Sequence, residues 1–118
     1  MYRDKYFRDW TGPFPFTIAS VVQNAPAASG VYQLLYNGQV AYIGIATNSI
    51  RSRVEKHVKG HGNWAAARRT DHAGYAFVFF LCDGTTAKQI ESNVITNEKP
   101  PYNVKPEYKN YIDNITVH

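Results

Sequence analysis

The chain is poor in cysteine and in long apolar runs, and each shortage excludes a class of protein. Its one cysteine, Cys82, cannot form a disulfide within the chain and favours a reducing compartment. The apolar runs last only a few residues and are too short to span a bilayer. The first ten residues mix both charges with aromatic side chains, unlike a secretory signal. We therefore expect a cytoplasmic protein that does not cross a membrane.

The sequence also lacks repeats, low-complexity tracts and any recognisable linker. With 44% hydrophobic and 19% charged residues, the composition is that of a globular protein rather than a disordered one. A chain of 118 residues is long enough for one hydrophobic core. We predict a single domain over residues 1–118, with a core at about 14–105 between an N-terminal arm and a C-terminal tail.

Charged residues are missing from one long stretch and concentrated just after it. Residues 10–50 contain no Asp, Glu, Lys or Arg, whereas residues 51–69 carry six Lys/Arg and one Glu, a net charge of +5. The rest of the chain sums to −1. Positive charge concentrated in one short segment is typical of a polyanion-binding surface, although a solvated helix face gives the same pattern. The candidate nucleic-acid contacts are Arg51, Lys56, Lys59, Arg68 and Arg69, with Trp64 as a base-stacking residue or a packing anchor.

Hydrophobic patterns predict the element order helix, strand, strand, helix, strand, helix. A short helix in "FTIASVVQNAP" precedes two apolar strands that flank an Asn-Gly turn signal. Ile50, Val54 and Val58 recur every four residues and form one stripe of the second helix. An aromatic, apolar strand at residues 75–82 and a helix at about 84–97 follow. We predict an α+β domain with a small three-stranded antiparallel sheet flanked by helices.

Two triplets stand in the predicted hairpin, "GVY" at residues 30–32 and, nine residues later, "YIG" at residues 42–44. The pair resembles the double motif of the GIY-YIG nuclease family, which includes homing endonucleases, some restriction enzymes and the incision subunit of bacterial excision repair. The resemblance continues along the chain and covers residues 30–103. The positions that match the family pattern outside the triplets are Arg53, His57, Glu91 and Asn103.

The resemblance implies a metal-dependent DNA endonuclease that uses one Mg²⁺ or Mn²⁺ ion. Glu91 would be the sole protein ligand of the metal, with water and phosphate completing the shell, as suits a hard cation. Tyr32 would be the general base or would position the water. Tyr42 would position the water or the scissile phosphate.

The same resemblance implies three supporting roles. Arg53 would stabilise the pentavalent phosphate, His57 would hydrogen-bond a tyrosine hydroxyl or relay a proton, and Asn103 would hold local geometry or a tyrosine hydroxyl. The spacing after the second triplet is one residue longer than usual, which leaves Arg51 as a rival for the arginine role. We prefer Arg53, because only Arg53 has a histidine four residues on.

Serving one site requires both tyrosines to lie on one face of the sheet. A two-residue turn at Asn37-Gly38 would put Tyr32 and Tyr42 on opposite faces. A three-residue loop over residues 36–38, with Gly38 as a left-handed bulge residue, would pair Tyr32 with Tyr42 on the same face. We therefore predict the three-residue loop.

Three alternatives stay open at this point. Excision-repair members carry a lysine where this chain has Ile45, and this departure favours a non-catalytic nucleic-acid-binding module. A protein-interaction domain could use the aromatic arm, and a structural zinc ion could use scattered histidines and the cysteine. RNA as the substrate and a protein partner that supplies specificity also stay open. The residues concerned are Tyr2, Tyr6, Phe7 and Trp10 for the arm, and His57, His61, His72 and Cys82 for zinc.

Overall fold

The sheet of this protein has five strands, two more than the sequence predicts. The computed structural model describes residues 2–60 and 73–103. The elements are β1 (Tyr2–Arg3), β2 (Asp9–Pro15), α1 (Ile18–Asn24), β3 (Gly30–Tyr36), β4 (Gln39–Ala46), α2 (Ile50–Val58), β5 (Tyr75–Leu81) and α3 (Gly84–Glu98). Every strand pair is antiparallel, in the order β1-β2-β5-β3-β4. The predicted α+β class is confirmed, and no helix in the described ranges is both long and apolar enough to cross a membrane.

The two additional strands come from the segment that the sequence presents as a polar arm. Strand β1 has only two residues, and β2 contains Gly12, Pro13 and Pro15, which argue against a strand when read from sequence. Trp10 of β2 is nonetheless fully buried. Of the four arm aromatics, only Phe7 is largely exposed, at 80%. The arm therefore offers little aromatic surface for the alternative of a protein-interaction domain.

Strand β3 lies between β5 and β4 in the sheet and contributes side chains to two hydrophobic clusters. Its side chains alternate between the two faces of the sheet, as the period of a strand requires. Tyr32 and Leu34 face the cluster under α1 and α2, whereas Val31 and Leu35 face the cluster under α3. The two tyrosines of the site described below lie on the α1/α2 face.

The β3–β4 hairpin places its two tyrosines on that face by a different device from the predicted loop. Asn37 (φ 51°) and Gly38 (φ 84°) form a two-residue turn, and Tyr36 pairs with Gln39. The predicted three-residue loop is therefore wrong, and so is the direct pairing of the tyrosines. The register instead shifts inside β4, where an extra residue forms a β-bulge between the Leu35–Val40 and Leu34–Tyr42 pairs.

The extra residue in this bulge is Ala41, which has no partner on β3. The shift turns Tyr42 to the face that Tyr32 occupies, while Tyr32 itself lies opposite Gly44. The tyrosine rings are 6.3 Å apart between centroids, so the shared face expected of the pair is observed. An Asn-Gly pair is well suited to the tight turn. The register shift that brings the tyrosines to one face comes from the bulge in β4.

Candidate active site

Tyr32 and Tyr42 form the floor of the candidate site, and the glycines of the two triplets make room for them. Tyr32 is fully buried, whereas Tyr42 is half-buried. A side chain at Gly44 would overlap the Tyr32 hydroxyl, so the glycine of one triplet accommodates the tyrosine of the other. A side chain at Gly30 would overlap the carbonyl oxygen of Phe80, so this glycine permits the close approach of β5.

His57 reaches the buried tyrosine from α2. Its Nε2 atom lies 2.8 Å from the Tyr32 hydroxyl, and its ring centroid lies 5.2 Å from that of Tyr42 in an edge-on arrangement. Burial, with the nearby charge of Arg53 as a second cause, lowers the pKa of His57 to about 4. The imidazole is therefore neutral at pH 7, with one ring nitrogen able to accept a hydrogen bond.

The pKa values of both tyrosines are raised in this environment. Burial is the largest cause for each, and the charge of Glu91 raises both further. The guanidinium of Arg53 acts in the opposite direction on both hydroxyls. Both phenols are therefore neutral at pH 7, and a further positive charge at the site would favour their ionisation.

The two arginines that compete for one role have different surroundings. Arg51 is half-buried, and its Nε donates a hydrogen bond to the carbonyl oxygen of Ala25 at the end of α1, at 2.8 Å. Arg53 is exposed, and its charge acts on Tyr32, Tyr42 and His57. The exposure of Arg53 and its effect on these three groups favour it as the arginine of the site, and its catalytic role stays a prediction.

Glu91 brings α3 to the same place. It is half-buried on a helix that packs mainly on the other face of the sheet, and its negative charge is among the causes that raise the pKa values of both tyrosines. One carboxylate at the rim of a site suits Mg²⁺, which keeps several waters and takes its other ligands from substrate phosphates. The residues present therefore fit a single hard cation at Glu91.

A zinc site finds no comparable support. Within residues 2–60 and 73–103, no three or more His, Cys, Asp or Glu side chains are grouped so as to hold a metal. The His57 side chain is hydrogen-bonded to the Tyr32 hydroxyl, and His61 and His72 lie outside the described residues.

Asn103 holds the second triplet from behind. Its amide oxygen accepts from the Ile43 N–H at 2.8 Å, and its amide nitrogen donates to the Ile43 carbonyl at 2.7 Å. The preceding N–H, of Tyr102, donates to the carbonyl of the bulge residue Ala41 at 3.0 Å. These hydrogen bonds fasten the strand between the bulge and Gly44. Of the two roles expected for Asn103, they favour the one in local geometry.

The predicted nucleic-acid contacts are only partly within the described residues. Lys56 and Lys59 are exposed on α2, and Lys59 forms an ion pair with Glu55 at 3.3 Å. The others, Trp64, Arg68 and Arg69, lie outside the described residues. Ile45, which replaces the lysine of excision-repair members, packs against the cluster under α3.

Sequence reasoning missed the contributions of Ala41 and Tyr102. Alanine in a strand gives no signal that it is the extra residue of a bulge. The Tyr102 contact is made by a backbone N–H, which any residue except proline would supply. The one sequence signal was indirect: the two tyrosines had to share a face, and the Asn-Gly turn alone would have separated them.

Comparison with known structures first identifies the class of domain. The chain is similar to the magnesium-bound GIY-YIG N-terminal endonuclease domain of UvrC from Thermotoga maritima, with 24% identity, a TM-score of 0.61, and coverage of 74% of this chain and 96% of that one. A point mutant of that domain bound to its catalytic divalent cation gives 24% identity, a TM-score of 0.59, and coverage of 75% and 96%. These likenesses show the fold.

The family follows from the sequence itself. A model of the GIY-YIG catalytic domain matches residues 28–103, which is more than half of the chain, and the protein belongs to the GIY-YIG family. Among curated proteins, none matches the chain.

Proposed function

We propose that this protein is an endonuclease that hydrolyses DNA phosphodiester bonds with one Mg²⁺ or Mn²⁺ ion held by Glu91. The observation that carries the proposal is the convergence of four elements on one site. Strand β3 brings Tyr32, β4 brings Tyr42, α2 brings His57 and Arg53, and α3 brings Glu91.

Each part answers a requirement of phosphodiester hydrolysis. The bound cation would act as a Lewis acid and neutralise charge on the phosphate. Arg53, exposed beside the tyrosines, would bind a phosphoryl oxygen and stabilise the charge that develops there. The exposed Lys56 and Lys59 on the same helix would hold the neighbouring DNA backbone.

The two tyrosines differ in burial, and we expect them to have different roles. Tyr42 has part of its surface exposed and would contact the water or the scissile phosphate. Tyr32 has no exposed surface, and its hydroxyl is bonded to His57. A proton that Tyr32 accepts or gives therefore passes through its neighbours, and the neutral His57 fixes the position of its hydroxyl. As a general base, Tyr32 would act within this buried pair.

A cleavage assay tests the proposal. Purified protein should nick or cut DNA in a panel of single-stranded, duplex, branched and supercoiled forms when Mg²⁺ or Mn²⁺ is added. Glu91→Ala should abolish cleavage with both metals, because no other carboxylate is proposed to hold the ion. Glu98→Ala is the matched control, since Glu98 lies on the same helix but forms an ion pair with Lys5 at 3.2 Å.

Two results would count against the proposal. Cleavage by Glu91→Ala at the wild-type rate would remove the assigned metal ligand. Salt-sensitive DNA binding by the wild-type protein, without cleavage of any form, would favour the non-catalytic nucleic-acid-binding module instead.

A further inference from the structure

A groove lined by tyrosines lies at the turn end of the β3–β4 hairpin. It encloses about 290 Å³ between Tyr36, Tyr75, Tyr102, Gln39, Ala41 and Pro101. None of the described residues that line it is charged. Flat aromatic walls, an amide and no charge are the features of a site for a neutral, planar group.

The most exposed wall of the groove, Tyr36, is held in place. Its ring is 44% exposed and lies 4.8 Å from the Tyr75 ring between centroids. Gly74, at φ 84°, packs against the other part of the Tyr36 ring, and its carbonyl accepts the Asn37 N–H at 2.9 Å. A large aromatic face is thus fixed in a solvent-accessible position, which lowers the entropic cost of stacking a ligand on it.

Two pairs of consecutive residues connect the groove to the candidate active site along the chain. Ala41 lines the groove and Tyr42, the next residue, lies in the site. Tyr102 lines the groove and Asn103, the next residue, fastens the second triplet. Ala41, Tyr42 and Tyr102 all pack on the α1/α2 face of the sheet. A ligand in the groove would therefore lie on the same face of the sheet as the two tyrosines of the site.

We propose that the groove binds one unpaired nucleobase of the DNA substrate, next to the phosphodiester that is cut. The proposal rests on the proposed nuclease function. The phosphates would follow the basic helix α2, and the neutral base would stack on Tyr36 with its polar edge near the amide of Gln39. A base inside an intact duplex is stacked between its neighbours and reaches such a groove only after extrusion. The substrate class is therefore DNA with single-stranded or extrahelical nucleotides.

Binding of a fluorescent base tests this inference directly. The probe is an oligonucleotide with 2-aminopurine in a single-stranded segment, whose fluorescence is quenched when the base stacks on an aromatic ring. It is titrated with the Glu91→Gln protein in Mg²⁺, so that cleavage does not interfere. Adding Tyr36→Ala should weaken binding about tenfold and remove the quenching, since stacking of one base on an aromatic side chain is worth about 1–3 kcal/mol.

Three comparisons make the assignment specific. Tyr36→Phe should bind as the parent protein does, because the ring face is kept. Phe7→Ala, which removes an 80% exposed aromatic on the β1–β2 connection, should also leave binding unchanged. A fully paired duplex of the same sequence should bind more weakly and should not respond to Tyr36→Ala.

The inference is overturned if Tyr36→Ala binds the single-stranded probe as tightly as its parent, or if Phe7→Ala loses as much affinity. Its failure is distinct from failure of the nuclease proposal. Cleavage that depends on Glu91, together with binding indifferent to Tyr36, would overturn only the base-binding groove. Tyr36-dependent quenching with no cleavage by the wild-type protein would support the groove and overturn only the nuclease.

Discussion

Two regions of the domain bury ionisable groups, and they do so in opposite ways. Near the N-terminus, Asp4 is buried with its carboxylate accepting four hydrogen bonds, from the backbone N–H groups of Tyr6 and Arg8, the Arg8 guanidinium and the Trp10 indole. Burial alone would raise the pKa of Asp4, but these donors, Trp10 foremost, outweigh it and hold that pKa below its usual value. This region therefore stabilises a charge.

The pair of Tyr32 and His57 shows the reverse arrangement. Burial moves the pKa of each group away from ionisation, upward for the tyrosine and downward for the histidine. Neither group stabilises the fold through a charge, because both are neutral at pH 7. Their ionisation would respond to the charge of a metal ion or phosphate bound at the site. The comparison suggests a rule for buried ionisable groups. A group whose charged form is stabilised by hydrogen bonds has a structural role, whereas a group that burial keeps neutral is a candidate for a functional one.

The largest expected effect on stability comes from the satisfied charge. Asp4→Ala should lower the free energy of unfolding by about 3 kcal/mol, because it leaves the buried Trp10 indole N–H and the Arg8 Nε–H without their acceptor. Urea denaturation measures the change. Asp9→Ala is the control, since its ion pair with Arg3 is exposed, and we expect no measurable loss. Equal losses in the two variants would contradict the account of Asp4.

The next effect concerns the two arginines of α2. Arg53→Ala should reduce DNA cleavage about a hundredfold, because the phosphate loses a charged donor at the site. Arg51→Ala should change cleavage much less and act chiefly on stability, since Arg51 fastens α2 to the carbonyl of Ala25. Single-turnover rates at saturating metal, with urea denaturation of each variant, separate the two. The reverse order of the rates would make Arg51 the arginine of the site.

A further effect, of up to about 3 kcal/mol, appears in the pH dependence of stability. The pKa of His57 is about 4 in the folded protein and near 6.5 when unfolded, so the unfolded state binds more protons between these values. Stability should therefore fall as the pH drops from about 6.5 to 4. The lowered pKa of Asp4 contributes stability that is present above its unfolded pKa of about 3.9 and is lost at lower pH.

His57 and Asp4 thus affect stability in different pH ranges, and urea denaturation curves recorded from pH 7 to pH 4 measure the range of His57. His57→Gln should flatten the slope between pH 6.5 and 4, whereas Asp4→Asn should leave that slope in place at a lower overall stability. A His57→Gln protein with the wild-type slope would show that another group titrates in this window.

Sequence patterns locate the side chains that the structure brings together, Tyr32, Tyr42 and His57, better than they locate the strands of the sheet, for physical reasons. The site residues fall beside a helix stripe, in two triplets and on the helix that follows a turn, and such patterns are local. The N-terminal strands depend on Trp10, which packs against Phe80 of β5 far along the chain, and this contact overrides the poor strand propensity of Gly12 and Pro13. The position of the bulge depends on the packing of β4 and on the later segment that contains Asn103. No window of the sequence contains this information.

The measurement that tests the central claim most directly is the effect of Tyr32→Phe on DNA cleavage and on stability in the same preparation. The variant removes only the hydroxyl that bonds His57 at 2.8 Å. The account predicts a loss of cleavage of at least about a hundredfold, with a change in the free energy of unfolding below about 2 kcal/mol. Cleavage at the wild-type rate, or a loss of cleavage that only follows unfolding of the variant, would contradict it.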